Sequence, residues 1–187
     1  MIGTIVRTGK IDGRASKAKE KELRDMFVDI YFAEKKILAA LPKMAKATNS
    51  PKLKVAFEKH ESETDGQVAR LEQIFEIIDK TPRGKACDAI LGILDEGKEI
   101  MSEYKGMPAL DAGLLAAAQA VEHCEMSRYG TLKTWAGELS MKNVVQLLEA
   151  MLKEEKATDA APSTSPNPKS TSTLKRRKDI RAVELVS

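Results

Sequence analysis

The fold of this 187-residue chain is indicated by residues 30–38, which read IYFAEKKIL. Apolar residues recur there at spacings of three and four, which places them in one stripe along an α-helix. Glu34 interrupts this stripe at its centre. The apolar pattern continues on both sides and predicts a helix over residues 20–48, named helix A, in which Pro42 is a candidate position for a kink or a break.

The same period predicts four further helices. They cover residues 51–79 (helix B), 85–104 (a shorter accessory helix), 109–137 (helix C) and 140–161 (helix D). No stretch alternates at period two with β-branched residues, so we expect no sheet. The sequence therefore predicts an all-α fold, a four-helix bundle with one shorter accessory helix between helices B and C.

Both ends of the chain differ in composition from the part between them. Residues 1–19 are rich in Gly, Lys and Arg and lack a helical period, so we expect a flexible N-terminal arm. Residues 162–187 begin with a Ser/Thr/Pro-rich linker and lead to a basic cluster at residues 175–178, KRRK. This segment is expected to be a disordered tail, and the helical bundle domain is expected to span residues 20–161.

Composition and charge exclude several classes of protein. Lys and Arg total 31 against 28 Asp and Glu, and this net charge of +3 does not indicate a nucleic-acid-binding protein. Nucleic acid is expected as a partner only through the basic tail, if at all. Cys87 and Cys124 lie far apart without a CxxC pattern, which excludes a disulfide framework and a thiolate zinc site. No apolar run of about 18 residues and no signal-peptide core occur, so we expect no membrane partner and a cytoplasmic location.

Acidic residues lie where the predicted stripes require apolar ones. Glu34 is central in helix A, Glu125 lies in mid-stripe in helix C, and Glu155 lies close to the stripe centre in helix D. Asp159 is one turn further along helix D on the same face, and Glu122 flanks the stripe of helix C. The acids of the accessory helix mostly avoid its stripe, as is typical of a solvent-exposed face.

Helix B places a histidine near the centre of its stripe. This residue is His60, and Gln67 lies close to it on the same face. Glu61 and Glu63 flank the stripe on opposite sides, so the period does not choose between them. His123 of helix C lies opposite the apolar stripe and is predicted at the surface.

Bound metal ions would explain acids on the core stripes of the long helices. Burying an ionised carboxylate without a partner costs many kcal/mol, and the Lys and Arg residues of these helices lie mostly off the stripes. Divalent metals between the helices would neutralise several carboxylates at once. Oxygen ligands with one or two imidazoles suit iron or manganese.

The alternative is that these acids are half-buried and make ordinary ion pairs or hydrogen bonds. Tyr31 and Tyr129 are expected in the core, where either phenol is a candidate donor to a metal-bound carboxylate.

Four segments carry a resemblance to a known family. They are residues 31–36 (YFAEKK), 60–68 (HESETDGQV), 118–125 (AQAVEHCE) with 129–132 (YGTL), and 154–159 (EEKATD). Together they resemble the YciE/YciF family of bacterial ferritin-like proteins associated with stress responses. The segments lie in all four long helices in the expected order, and the resemblance covers about residues 20–161.

The resemblance implies a ferritin-like bundle with a dimetal centre, commonly assembled as a homodimer. It favours Glu63 over Glu61 as the ligand from helix B. The implied cofactors are two metal ions, iron or manganese or one of each, and no substrate follows because the activity of the family is not settled. Family members usually continue helix D with apolar residues after Asp159, whereas Pro162 follows closely here. The implied ligands are Glu34, His60, Glu63, Glu122, Glu125, Glu155 and Asp159.

Two hypotheses about function follow. In the first, the chain is a dimetal-carboxylate protein that handles oxygen, peroxide or iron in a stress response. In the second, it is a non-catalytic structural stress protein, a helical-bundle dimer whose inward acids are only hydrogen-bonded or ion-paired. Iron storage would require a closed shell of many subunits, and binding to DNA would require the basic tail. Whether the chain is an enzyme stays open.

Overall fold

Five α-helices make up the computed structural model, which describes residues 13–82 and 84–160. No strand occurs among these residues, so the predicted all-α fold is confirmed. The predictions for residues 1–12 of the arm and for the tail after residue 160 lie outside the described residues. No described helix is long and apolar enough to cross a membrane. The helices are α1 (Gly13–Ala47), α2 (Pro51–Ile77), α3 (Asp88–Glu103), α4 (Ala109–Glu138) and α5 (Lys142–Ala160).

The four long helices close into a ring. Helix α1 packs against α2 and α4, and α5 packs against the other sides of α2 and α4. The short helix α3 lies outside this ring and packs against α1 and α4. The predicted four-helix bundle with an accessory helix between the second and fourth helices is therefore confirmed.

The first helix begins earlier than its sequence pattern predicts. Helix α1 starts at Gly13, seven residues before the predicted start at Glu20, so the last part of the predicted arm is helical. Residues 15–22 read ASKAKEKE, which are good helix formers without an apolar stripe. Lys19 forms an ion pair with Glu138 at the end of α4, which holds this turn against the bundle. Pro42 lies inside the 35-residue helix and does not divide it.

Local backbone chemistry sets the other helix ends. Ser50 caps α2 by accepting a hydrogen bond from the backbone N–H of Leu53 at 3.4 Å, and Pro51 is the first helical residue, as expected. Helices α2 and α4 both end in a left-handed residue, Asp79 with φ 51° and Ser140 with φ 59°. The turn at Ser140 explains why α5 begins at residue 142 rather than at the predicted residue 140. Likewise α3 covers 88–103 instead of 85–104, and α2 ends at residue 77 instead of 79.

The linker between α2 and α3 passes close to α1. A Cβ atom at Gly84 would lie 2.9 Å from Cβ of Phe32, so the linker packs this tightly only because residue 84 has no side chain. Cys87, at the end of the linker, is buried, whereas Cys124 is only partly buried. The guanidinium of Arg128 donates to Sγ of Cys87 and to Sγ of Cys124, both at 3.0 Å, and also pairs with Asp29. This arginine therefore ties the linker to α1 and α4.

Candidate metal centre

The middle of the bundle interior is polar. Glu34 of α1, His60 of α2, Glu122 and Glu125 of α4, and Glu155 of α5 are all at most 3% exposed. We call these five residues the carboxylate cluster. Each lies on the inward face of its helix because the apolar residues three, four and seven positions away pack into the same core. The helical period therefore buries these side chains regardless of their charge.

The carboxylate cluster is compact. His60 Nδ1 lies 2.9 Å from Oε1 of Glu122, and His60 Nε2 lies 3.9 Å from Oε2 of Glu125. One potential ligand atom from each of His60, Glu122, Glu125 and Glu155 lies within 4.8 Å of the others. Ligand atoms that bind one ion at about 2 Å lie at most about 4 Å from one another, so small side-chain rotations would bring these four atoms to ligand distance. The arrangement is compatible with a cation held between α2, α4 and α5.

Neighbouring polar side chains orient the carboxylates. The Tyr129 hydroxyl donates to Oε1 of Glu34, and the Gln67 amide donates to Oε1 of Glu155. Both Tyr129 and Gln67 are fully buried. Glu34 also lies beside Glu125, and Glu122 beside Glu155, so a hydrogen bond within either pair forms only when one of its two carboxyl groups is protonated.

The electrostatics are those of acids without a counter-cation. Burial, followed by the charge of Glu155, raises the pKa of Glu34 to about 7. Burial likewise raises the pKa of Glu122 to about 7 and that of Glu155 to about 9. The pKa of Glu125 is raised well above its usual value by burial and by the neighbouring carboxylates. Among the described residues, no Lys or Arg forms an ion pair with any of these four acids.

His60 is shifted in the opposite direction. Burial lowers its pKa, although the neighbouring carboxylates act against this shift. A neutral imidazole is the form that binds a metal. The phenol of Tyr129 has its pKa raised well above the usual value by burial and by Glu34, so it stays protonated and acts as a donor.

The chemistry of the unpaired atoms tests whether a metal fits. Buried polar atoms without a hydrogen-bond partner are rare in folded proteins, yet the described part of this chain has eight, and all belong to the cluster or to its two neighbours on α2. Most of these atoms are carboxylate oxygens, and one is an imidazole nitrogen. This set of ligand atoms suits iron or manganese. The residues therefore fit a divalent metal of this kind. The atoms are Glu34 Oε2, His60 Nε2, Thr64 Oγ1, Gln67 Oε1, Glu122 Oε2, both Oε of Glu125, and Glu155 Oε2.

Two of the predicted ligands lie at the edge of the cluster. The side chain of Glu63 is 23% exposed, pairs with Lys59 and accepts a hydrogen bond from Thr158 at 3.0 Å. Asp159 Oδ1 lies 3.1 Å from Nε2 of His123, whose side chain is largely exposed, as predicted. The charges of Asp159 and Glu63 contribute to the raised pKa of Glu122, so both acids lie near it. The structure thus brings together five of the seven predicted residues and leaves Glu63 and Asp159 outside the buried group. Glu61 is partly exposed and has no place in the cluster.

The sequence alone assigns no role to Gln67 and does not show which of the two tyrosines donates to a carboxylate. A buried amide on the stripe of α2, seven residues after His60, was the available signal for Gln67. Tyr129 is the donor to the cluster, whereas the Tyr31 hydroxyl donates to Oε1 of Glu72 at 2.9 Å. These partners depend on contacts between helices, which a helical period does not specify.

Comparison with known proteins places this arrangement in a family. The family described as "Domain of unknown function (DUF892)" matches residues 18–163. Protein YciF of Escherichia coli strain K12 is 42% identical over 145 residues, which cover 74% of this chain and 87% of YciF.

Solved structures of similar proteins have the same fold. YcfI of Rhodopseudomonas palustris, described as a candidate structural protein, has a TM-score of 0.77 and 38% identity over 84% of this chain and 100% of its own. The E. coli stress protein YciF has a TM-score of 0.72 and 39% identity over 76% of this chain and 90% of its own. A protein from Xanthomonas campestris pv. campestris, at 22% identity over 76% of this chain and 86% of its own, shares the fold with a TM-score of 0.60.

Proposed function

This chain belongs to the DUF892 family, which matches most of its length, and on that premise we propose that it is a dimetal-carboxylate protein. The proposed cofactors are two ions of iron or manganese, bound between the four long helices. The observation that carries the proposal is the carboxylate cluster, in which four buried acids and one imidazole leave their ligand atoms unpaired. The proposed role is the handling of oxygen, peroxide or iron, and a role in a stress response is supported by the E. coli relative, which is named a stress protein.

The chain's own residues have separate tasks in this proposal. Glu34, Glu122, Glu125, Glu155 and His60 would hold the metals, which when bound supply electrons for reducing a dioxygen species. The hydroxyl of Tyr129 and the amide of Gln67 fix the rotamers of Glu34 and Glu155. The cluster residues are at most 3% exposed, so they have little contact with solvent.

Completing a site for two ions requires movement at its edge. Glu63 would leave Lys59 and Thr158, and Asp159 would leave His123, to add the two remaining carboxylates of the family pattern. Both acidic side chains are partly exposed, so few packing contacts are lost when they rotate. In the metal-bound protein, Lys59 and His123 would therefore contact solvent in place of these carboxylates.

Loading would displace protons from the cluster. The pKa values of about 7 for Glu34 and about 9 for Glu155 mean that at least part of these groups is protonated near neutral pH. Metal ligation requires the ionised form, so binding releases protons and becomes stronger as the pH rises.

Metal analysis of the full chain tests the proposal. Protein purified without chelator should carry about two metal ions per chain, and chelated protein should gain melting temperature when Fe²⁺ or Mn²⁺ is added. Glu125→Gln should reduce the stoichiometry, whereas Glu96→Gln on the exposed face of α3 should not. Less than about one metal per chain, with no thermal stabilisation by either ion, would contradict the proposal.

A structural role is the second candidate, since the Rhodopseudomonas relative is described in those terms. In that case the cluster acids only hydrogen-bond with one another, and the chain would form a stable homodimer that does not bind metal or react with oxygen. Light scattering of the purified protein gives the oligomeric state: a dimer fits either proposal, and a closed shell of 12 or 24 subunits would indicate storage.

A further inference from the structure

An apolar groove lies outside the bundle, between α1, α3 and α4. It has a volume of about 230 Å³ and is lined on its inner side by buried apolar residues such as Met44, Gly97 and Ala117. Lys36, Lys43 and Lys98 contribute to its lining as well. We call this space the outer groove. One of its walls is the accessory helix, so the groove exists only because α3 packs across α1 and α4.

A much smaller cavity lies deeper in the bundle. It has a volume of about 10 Å³ and is lined by residues of α1, α2, α3 and α4. His60 is one of its lining residues, but the surface that faces the cavity is entirely apolar. We call it the inner cavity, and it ends at the carboxylate cluster.

The two spaces share a wall. Ala40, Met44, Leu94 and Val121 line both the outer groove and the inner cavity. These four side chains, from α1, α3 and α4, therefore form the constriction between solvent and His60. Elsewhere at the edge of the cluster, the acidic side chains of Glu63 and Asp159 are partly exposed.

The chemistry of this constriction selects what passes through it. A space of about 10–15 Å³ holds at most one water-sized molecule, and a water there needs two to four polar partners. The inner cavity offers no polar surface. A hydrated cation or hydrogen peroxide would lose most of its hydrogen bonds, whereas a small apolar molecule would lose none.

We propose that dioxygen reaches the carboxylate cluster through the outer groove and the inner cavity, past Ala40, Met44, Leu94 and Val121. This inference rests on the proposed dimetal function and narrows it, since it makes dioxygen the oxidant that enters by this route. Metal ions and peroxide would use the polar edge at Glu63 and Asp159. The accessory helix then acts as one wall of a gas channel.

Xenon binding to the metal-free full chain tests the route without any reaction. Xenon under pressure binds in apolar cavities, and a crystal of the parent protein should show it in the outer groove beside Ala40 and Leu94. Ala40→Phe should remove this xenon site, because the ring fills the space that both cavities share. Ala116→Phe, at an exposed position of α4 that lines neither cavity, should keep it. A parent crystal without xenon at this position overturns the route.

Oxidation kinetics test the route in the metal-loaded protein. Ala40→Phe should slow the oxidation of bound Fe²⁺ by dioxygen about tenfold and leave its oxidation by hydrogen peroxide unchanged. Leu94→Trp, on the opposite wall, should act in the same way and provides a second variant if the first is misfolded. Ala116→Phe should match the parent with both oxidants.

The outcomes separate the route from the function on which it rests. If every variant binds Fe²⁺ and reacts with dioxygen at the parent rate, the route is wrong and the dimetal function stands. If dioxygen and peroxide are slowed equally, the cavity is not selective and the proposal fails. A parent protein that takes up no Fe²⁺ overturns both the function and the route.

Discussion

The bundle interior contains two layers built on the same helical stripes but with opposite chemistry. In one, which we call the apolar layer, each long helix contributes one fully buried residue: Phe27, Phe75, Leu132 and Leu148. The ring centroids of Phe27 and Phe75 lie 6.4 Å apart in an edge-on contact. In the other, the carboxylate cluster, the same four helices contribute acids and a histidine that are equally buried.

The difference shows that burial and stabilisation are separate properties. Apolar side chains gain free energy when they leave water, roughly 1.5–3 kcal/mol for a large one. Carboxylic acids lose free energy when they are buried without a cation, and their raised pKa values record that loss. The apolar layer therefore stabilises the fold, and the carboxylate cluster destabilises it in the absence of metal. A site that lowers stability is expected where function requires it.

The pH dependence of metal-free stability should show the largest effect. Acids with raised folded pKa values destabilise the protein once the pH exceeds their unfolded value, 4.5 for Glu. Stability should therefore fall as the pH rises from about 4.5 through the folded pKa values of about 7 for Glu34 and about 9 for Glu155. We expect a loss of several kcal/mol, measured by denaturant unfolding in chelator.

His60 acts against this trend over a limited range. Its lowered folded pKa destabilises the protein as the pH falls below the unfolded value of 6.5. His60 opposes the carboxylic acids only below pH 6.5, so the net slope should be negative between pH 6.5 and 9. Saturating Mn²⁺ should flatten the profile, because metal neutralises the acids. A metal-free protein whose stability rises across this range would contradict the electrostatics described above.

Truncation in the apolar layer should have the next largest effect. Phe75→Ala removes a ring that is 1% exposed and contacts both Phe27 and Tyr31, so the free energy of unfolding should fall by about 3–5 kcal/mol. Val55→Ala, at a side chain that is 63% exposed, serves as the control and should change stability by less than about 0.5 kcal/mol. Both variants should keep the metal stoichiometry of the parent.

Substitution in the carboxylate cluster should have the opposite sign. Glu155→Gln keeps the shape and the oxygen that accepts from Gln67, and its amide can donate to Glu122 as the protonated acid does. At pH 7 the metal-free protein should gain about 1–3 kcal/mol, since no proton is needed to neutralise the group. Metal binding should weaken, because a charged ligand is lost. Glu34→Gln should behave alike.

The neighbouring residue provides a matched control for Glu155. Glu154 of α5 is partly buried and accepts two hydrogen bonds from Arg70 of α2, at 2.6 and 2.7 Å. Glu154→Gln should lower stability slightly or leave it unchanged, and metal binding should not change. If Glu155→Gln and Glu34→Gln both melt lower than the parent in chelator and still bind metal normally, the dimetal proposal is wrong.

The sequence predicted the inward orientation of some cluster residues better than that of others. The helical period identified Glu34, Glu125 and Glu155 as inward because each lies at the centre of a stripe. It placed Glu122 only on a flank, yet this residue is buried because α4 packs against α1, α3 and α5 and so has a wider buried face. The roles of these residues as metal ligands stay predictions. Helix ends were less accurate, since they depend on left-handed turns at Asp79 and Ser140 rather than on hydrophobicity.

Pairings between helices were beyond the reach of the sequence. Nothing in the period shows that Gln67 donates to Glu155 across the bundle, or that Arg128 contacts Cys87 and Cys124. Such contacts depend on the rotation and register of packed helices, and a shift of one residue would change each partner.

The smallest expected effect concerns two tyrosines, one in contact with each layer: Tyr31 contacts Phe75, and Tyr129 contacts Glu34. Tyr129 and Tyr31 each donate to a glutamate, but Tyr129 is fully buried beside Glu34, whereas Tyr31 is partly exposed and donates to Glu72 outside the cluster. Tyr129→Phe should cost about 1 kcal/mol in the metal-free protein, because one oxygen of Glu34 loses its donor. It should also weaken metal binding, because the rotamer of Glu34 is no longer fixed. Tyr31→Phe should have a similar or smaller effect on stability and none on metal binding.

Titration of both variants with Mn²⁺, followed by calorimetry, makes the comparison. Equal metal affinities in the two variants would show that Tyr129 serves only to pack the core, and its hydrogen bond to Glu34 would then have no part in organising the site.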